Sequence, residues 1–362
     1  LWDKEYDYIM NGREQNTIHL VSKDGMEIQT KELVMTNDDY PADMSKHVRD
    51  PKIYEKDGKY YMVQGGRDAK DRGCALLFSS EDLVHWEYFD RIQTEPSFGY
   101  MWECPDLFDL DGQTILMVCP QGVSQQGHLY QNVYQCGYFP VELDFENKKY
   151  KLGTFKEIDT GFDIYAAQTF QDEQGRRILI GWMGIPDADY DNDATVDFDW
   201  IHALTMPRVL SMQHGKLIQQ PLEEMKNLRG EKIQASIHEF GSYLTEDCCF
   251  ELNVQMEEKV KCFQLQLRED VWVSYKDNIL ELRLGESGHG REVRTIELEN
   301  LDDFTVFSDT SSIEIFVNGG EHVLTTRVYS KKRKQEVKLL TSGCVGTVTV
   351  YPLGSYDVEW KK

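Results

Sequence analysis

Short apolar runs separated by polar turns return to the same layout along the first part of the chain. Pro51–Gly58 closes on Asp57-Gly58, and Lys59–Val63 resumes the apolar positions. Pro105–Gly112 closes on Asp111-Gly112 and is followed by Gln113–Val118. A looser third copy is Gln168–Gly175, followed by Arg176–Gly181. An apolar run, a polar turn ending on Gly and a second apolar run predict a β-hairpin, because Asp-Gly accepts the positive φ of a tight turn. The period is somewhat longer than the about 40–50 residues of the larger propeller repeats. That predicts four-stranded blades with extended loops. A β-sandwich with coincidental hairpins is the competing reading of residues 1–220. The shared Pro or Gln where each copy begins favours the repeat.

After about residue 220 the pattern changes. Pro221–Gly230 reads as a short, polar, partly helical connection. Beyond it, Cys249–Val254, Phe263–Leu267, Ile279–Leu284, Ser312–Val317 and Gly346–Tyr351 alternate apolar and polar residues. Strict alternation predicts strands with one face buried and one wet, and many such strands predict an antiparallel sandwich. Asn318-Gly319-Gly320 predicts a hairpin turn. The expected organisation is all-β: a propeller domain over residues 1–222, then a linker and β-sandwich over 223–362.

Composition narrows the function. A formal net charge of −24 argues against nucleic acid and anionic membranes as partners. No run approaches the roughly 18 apolar residues of a membrane helix. The 8 Cys show no CxxC spacing, which fits reduced thiols and a cytoplasmic location. No signal peptide is visible, but the chain begins at Leu1 rather than Met. Asp187, Asp189, Asp191 and Asp193 have the acid density of a calcium loop. They lack its Gly at the sixth and Glu at the twelfth position, so a solvated loop is expected, with no metal and no cofactor.

The candidate chemistry sits where two copies of the repeat begin. Asp50 precedes Pro51, and Glu103 lies in Met101–Asp106 just ahead of Pro105. A repeat that presents acids at matching places gathers them around one centre, and paired carboxylates are the working parts of a glycoside hydrolase. Alone, an Asp before Pro is more often a turn cap, and a Glu is more often a surface acid.

The chain resembles glycoside hydrolase family 32, the invertase and sucrose-6-phosphate hydrolase group. Arg49–Pro51, Trp102–Asp106, Asp163–Gln168, Arg176–Gly184 and Asp309–Gly320 carry the resemblance, in the family's order and across nearly the whole chain. It implies a five-bladed propeller joined to a β-sandwich. It implies that Glu103 is the general acid/base and that Asp50 stabilises the transition state by holding fructosyl hydroxyls. Arg49 is expected to support Asp50, and Cys104 to neighbour Glu103. Phe98, Tyr100, Met101 and Trp102 are candidates for an apolar wall around Glu103. Trp182 matches the aromatic that lines the sugar subsite, with propeller core as an equal alternative. Tyr165 and Gln168 are expected to be structural, and Trp200 and His202 to border the mouth.

The resemblance has one gap. The family's retaining mechanism uses a third carboxylate, carried in an Asn-Asp-Pro motif of the first blade. No Asn-Asp-Pro occurs in the 362 residues, and only 48 residues precede Arg49. The first blade and part of the second are therefore expected to lie outside this sequence. The chain alone is expected to hydrolyse little or nothing and to associate through exposed propeller edges. The implied substrate is sucrose, sucrose 6-phosphate or a related fructoside. A levanase or inulinase specificity and a non-catalytic carbohydrate-binding relative are the alternatives. A phosphate would need cationic or backbone donors, for which Lys46, His47 and Arg67 are available.

Overall fold

The computed structural model describes residues 9–10, 13–340 and 344–356. It forms two compact units. The first runs to Ser124 and takes in Val133–Glu157 and Ala166–Gln168; the second holds Gln125–Asn132, Ile158–Tyr165 and the chain from Thr169 on.

In the first unit, β1 (Thr17–Ser22) and β2 (Ile28–Met35) form a hairpin of their own. Next come β3 (Met44–Lys56), β4 (Lys59–Asp68), β5 (Gly73–Ser80) and β6 (Glu87–Ile92), paired in chain order as an antiparallel meander. A second meander contains β7 (Met101–Leu110), β8 (Gln113–Gln121), β9 (Gly137–Asp144) and β10 (Lys149–Leu152), with β11 (Lys156–Glu157) also on β9. These are blade-like sheets. Their inner strands are buried on both faces, as the run from Tyr61 to Gly66 in β4 is. The two sheets approach closely where β4 faces β7: a Cβ at Gly65 would meet the Trp102 carbonyl oxygen at 2.1 Å. Only glycine allows that approach.

The turn prediction holds in its local chemistry. Asp57 (φ 51°) and Gly58 (φ 76°) join β3 to β4, and Asp111 (φ 49°) and Gly112 (φ 82°) join β7 to β8. Two consecutive positive φ values mark the hairpin turn that matches strand twist. The third copy lacks Asp before its glycine and turns differently. There Gly175 (φ 80°) alone is left-handed, and the Asp172 carboxylate accepts the N–H groups of Gln174 and Arg176.

A third blade-like sheet joins β12 (Tyr165–Gln171), β13 (Arg177–Met183), β15 (Arg208–Gln213) and β16 (Lys216–Pro221), with β14 (Ala203–Leu204) on β13. In the second unit, Glu223–Leu228 forms a short 3-10 helix. The strands that follow are β17 (Ile233–Ser236), β18 (Ser242–Leu244), β19 (Phe250–Met256), β20 (Cys262–Arg268), β21 (Val271–Lys276) and β22 (Ile279–Leu284). They continue through β23 (Val293–Glu297), β24 (Asp303–Asp309), β25 (Ser312–Val317), β26 (His322–Arg327), β27 (Glu336–Leu339) and β28 (Gly346–Pro352). Two six-stranded sheets result, in the orders β17-β28-β19-β24-β25-β26 and β18-β27-β20-β21-β22-β23. Leu252, Val254, Leu265, Val273, Leu282, Val306 and Ile315 fill one shared core. Fully burying such a side chain contributes about 1.5–3 kcal/mol.

Alternation misleads at β25 and, through buried Glu251, at β19. Its reading makes Glu314 and Phe316 wet, yet β25 is buried on both faces over Ile313–Val317. Phe307, Phe316 and Val323 form a second cluster against Met206 and Met225, and Glu314 is enclosed with Arg208 of β15. A strand alternates visibly only when one face meets water. The Asn318-Gly319-Gly320 turn joins β25 to β26 as expected. Gly320 (φ 91°) also lets β16 come close, since a Cβ there would meet the Gln219 carbonyl oxygen at 1.8 Å.

Candidate active site

β3 and β7, the first strand of each meander, carry the same irregularity. β3 shifts register between Arg49 and Lys52, and β7 shifts between Glu103 and Asp106. Asp50 (φ 60°) and Cys104 (φ 49°) sit at the shift, each in left-handed backbone just before a proline. Such geometry costs about 1–3 kcal/mol at a non-glycine residue and clusters at functional sites. Ala166 (φ 48°) repeats it in β12. The irregularity corrects the expected equivalence. Asp50 matches Cys104, and Glu103 matches Arg49, one residue earlier than a pairing of the two acids requires.

That offset decides who meets whom. Arg49 donates from Nε and Nη2 to Glu103 Oε1 at 3.0 and 2.5 Å. Gln121 Nε2 donates to the other oxygen, Oε2, at 2.8 Å. Asp50 Oδ2 instead accepts the Cys104 N–H at 2.9 Å. The Cys104 carbonyl accepts from Gln168 Nε2 at 3.0 Å, so the residue is held through both of its backbone groups. Arg49 was expected to support Asp50; its ion pair is with Glu103. Glu103 and Arg49 side chains are only 15% and 22% exposed.

One member of the expected apolar wall, Trp102, does not face Glu103. Adjacent strand residues point to opposite faces, and Trp102 turns away into the core, packing on Phe139 at 5.2 Å and donating Nε1 to the Phe98 carbonyl. Tyr100 lies under the Arg67 guanidinium, 4.7 Å from the ring centroid.

His47 extends the charged group. Arg49 Nη1 lies 2.8 Å from its Nδ1, and Arg13 Nη1 lies 3.3 Å from Nε2. Burial, then the charges of Arg13, Arg49 and Arg67, push the imidazole down to about 4. The ring is therefore neutral at pH 7, and the Arg49 contact assigns an acceptor role to Nδ1.

Trp182 lies on β13 in the second unit, half-buried and edge-on to His202 with centroids 5.0 Å apart. Its buried Nε1 has no hydrogen-bond partner among the described residues. A core indole normally finds one. Trp200 lies under the Arg327 guanidinium at 5.3 Å. Asp187, Asp189, Asp191 and Asp193 are all exposed.

Several charged residues of the second unit went unread in the sequence. Arg208 donates to Asp159 Oδ2 (3.1 Å), Gln219 (3.1 Å), Glu314 Oε2 (2.7 Å) and Thr325 (2.6 Å). Arg291 forks onto both oxygens of Asp163 at 2.7 and 2.8 Å, and the Arg327 N–H adds a third contact. Asp163 heads one of the segments that carry the family resemblance, which was its one sequence signal. These groups are buried and act as structure.

Among the described residues, no helix is long and apolar enough to cross a membrane. The glycosyl hydrolases family 32 N-terminal domain profile matches residues 4–221, and the family's C-terminal profile matches 224–352. The sucrose-6-phosphate hydrolase of Bacillus subtilis is 39% identical over 335 residues, spanning 89% of this chain and 69% of that protein. That of Staphylococcus xylosus is 36% identical over 366 residues, spanning 93% and 72%. Among solved structures, the sucrose-6-phosphate hydrolase of Lactobacillus gasseri aligns with a TM-score of 0.80 at 27% identity, over 90% of this chain and 69% of that one. The Bombyx mori β-fructofuranosidase aligns at 0.75 with 27% identity, over 95% and 78%. Blade-like sheets followed by a two-sheet sandwich, and profiles matched end to end, lead to one conclusion: the chain belongs to glycosyl hydrolase family 32, an all-β fold of propeller and sandwich.

Proposed function

We propose that this protein hydrolyses the fructosyl bond of sucrose or sucrose 6-phosphate by a retaining mechanism. One observation carries the proposal: the Glu103 carboxyl is fixed by Arg49 and Gln121 beside strained backbone that also presents Asp50. Glu103 protonates the leaving glycosidic oxygen and, in the second step, takes a proton from the attacking water. Asp50 accepts fructosyl hydroxyls through the oxygen that Cys104 leaves open. Arg49 and Cys104 position these groups, and the family resemblance gives Trp182 a sugar-facing role.

The retaining mechanism needs a nucleophilic carboxylate, and no Asn-Asp-Pro is present in the 362 residues. This polypeptide on its own is therefore expected to show little or no turnover. We place the boundary between propeller and sandwich domains at 222/223 and the protein in the cytoplasm. Self-association through strand edges belongs to the same proposal; Ile18, Leu20, Ile28 and Leu33 of the β1–β2 hairpin are exposed.

The hydrolase names of the similar proteins disfavour a non-catalytic carbohydrate-binding role. Fructose release is the test, measured for the 362-residue chain and for a chain extended by its own coding sequence upstream of Leu1. Release by the extended chain alone is expected. Release by neither, with both folded, sinks the proposal.

A further inference from the structure

We propose that Asp247, Cys248 and Cys249 form a binding site for one thiophilic divalent cation of the zinc type. The three residues belong to the second unit, and the site stands independently of the hydrolysis proposed above.

Neighbouring residues of a regular strand face opposite ways and cannot share an ion. Here the chain bends over residues 246–248, just ahead of β19, and the two thiols turn together. Their sulfurs and a carboxylate oxygen of Asp247 all lie within 4.8 Å of one another. Around a tetrahedral zinc ion, sulfur and oxygen ligands stand about 3.3–3.8 Å apart. Closing the group on such an ion therefore shortens its separations by at most about 1 Å. No CxxC is needed once a bend brings adjacent thiols together, so the expectation of no metal does not reach this group.

Each thiol already faces an oxygen that can take its proton. Cys248 Sγ donates to Asp247 Oδ1 at 3.1 Å, and Cys249 Sγ donates to Asp309 Oδ1 at 3.3 Å. A bound divalent ion replaces both thiol protons, which pass to solvent, and two thiolate–metal bonds form. Asp247 is held for the task. Its Oδ2 accepts from Arg333 Nη2 at 2.5 Å, and its Oδ1 accepts the Cys248 N–H at 2.6 Å. Contacts of this kind orient the ligands of a metal. The backbone is fixed as well. The Cys248 carbonyl accepts the Ser308 hydroxyl at 2.6 Å, and the Cys249 carbonyl accepts the Leu353 N–H at 3.1 Å.

The surroundings suit thiolates. Arg268 is fully buried, and its Nη2 donates to Ser308 Oγ at 2.8 Å and to the Asp309 carbonyl. Its guanidinium is thus one hydroxyl away from the Cys248 carbonyl. A cation so near favours the thiolate, the form that binds metals. Two thiolates and a carboxylate leave a bound divalent ion with excess negative charge, which Arg268 and Arg333 offset. Thiolates select zinc over calcium and magnesium, which take oxygen ligands. Asp247 and Cys249 are half-buried, which gives the ion a way in, and water can complete a tetrahedron.

Titration of the 362-residue chain with Cd²⁺ and Zn²⁺, in a reductant that carries no thiol, tests the inference. Cd²⁺ is expected to raise a sulfur-to-metal charge-transfer absorption that saturates at one ion per chain, with protons released into weak buffer. Zn²⁺ is expected to abolish that absorption by competition, and Mg²⁺ to leave it unchanged. Cys249→Ser is expected to remove the absorption, and Asp247→Asn to weaken Zn²⁺ binding about 10–100-fold. Cys262→Ser, at an exposed thiol of β20, is expected to change neither. Circular dichroism shows whether each variant is folded, and Asp247→Asn carries the test if Cys249→Ser is not. A reduced chain without the absorption overturns the site. So does an undiminished absorption in folded Cys249→Ser, or an unchanged Zn²⁺ affinity in folded Asp247→Asn.

Discussion

Two arginine–carboxylate clusters use the same groups in opposite surroundings. In the second unit, Arg208 has no exposed surface and its carboxylate partners, Asp159 and Glu314, are 0% and 5% exposed. Nearly every polar atom there is matched: Asp159 also takes the N–H groups of Gly161 and Thr325, and Glu314 takes that of Met206. Burial pushes the Glu314 carboxyl up, against the pull of Arg208. In the first unit, Arg49 and Glu103 keep 22% and 15% of their side chains in solvent, the backbone of the next residues, Asp50 and Cys104, is left-handed, and the neighbouring Arg13 has no acid among the described residues. A closed network fixes a fold, whereas an open one with an unmatched charge can exchange partners with a ligand. The contrast teaches that burial and completeness, not residue type, separate a structural ion pair from a working one.

The contrast can be broken by experiment. Arg208→Met leaves two buried carboxylates without their cation and is expected to cost about 3–5 kcal/mol. Denaturant unfolding followed by tryptophan fluorescence measures it, and an unchanged midpoint removes the structural role. Glu103→Gln is expected to lower turnover of the upstream-extended chain about 10²–10⁴-fold, the usual worth of a general acid. Its unfolding free energy is expected to move by no more than about 1 kcal/mol, as for a partly solvated pair. A large stability loss in that variant would make Glu103 structural too.

Gly65→Ala probes the backbone beneath the site. Its Cβ meets the Trp102 carbonyl oxygen at 2.1 Å, and the backbone bearing Glu103 must shift. A cost of about 1–3 kcal/mol is expected, together with lower activity, whereas an unaltered variant means that β4 and β7 do not need this approach. The smallest effect concerns pH. His47 titrates at about 4 in the folded chain against its usual 6.5. The unfolded chain thus binds the proton first as pH falls. The stability contributed by the neutral ring is full above pH 6.5 and is lost progressively toward pH 4. Unfolding midpoints of native and His47→Gln chains across that window should converge at the acid end; parallel curves would remove His47 from the cluster.

What was legible in the sequence was local. Asp57-Gly58 and Asp111-Gly112 announce their turns because positive φ at both positions has few solutions. The alternating sandwich strands were legible wherever one face meets water. Glu314 was not, because its cover comes from Arg208, far away in sequence. The placement of Glu103 was half legible. Aligning Pro51 with Pro105 sets Arg49 against Glu103 and Asp50 against Cys104, but matching the two acids hides that offset. Trp102 left the expected wall for a simpler reason: neighbours along a strand face opposite ways, and it belongs to the core. The basic group around His47 depends on β3–β4 register and on Arg13, which no spacing ties to either strand.

The central claim is that Glu103 serves as the acid/base of fructosyl transfer to water. It is tested most directly by fructose release from sucrose 6-phosphate by the upstream-extended chain and its Glu103→Gln variant, with both shown to be folded. Native release that falls at least about a hundredfold in the variant is the expected result. Equal release by the two proteins would contradict the account.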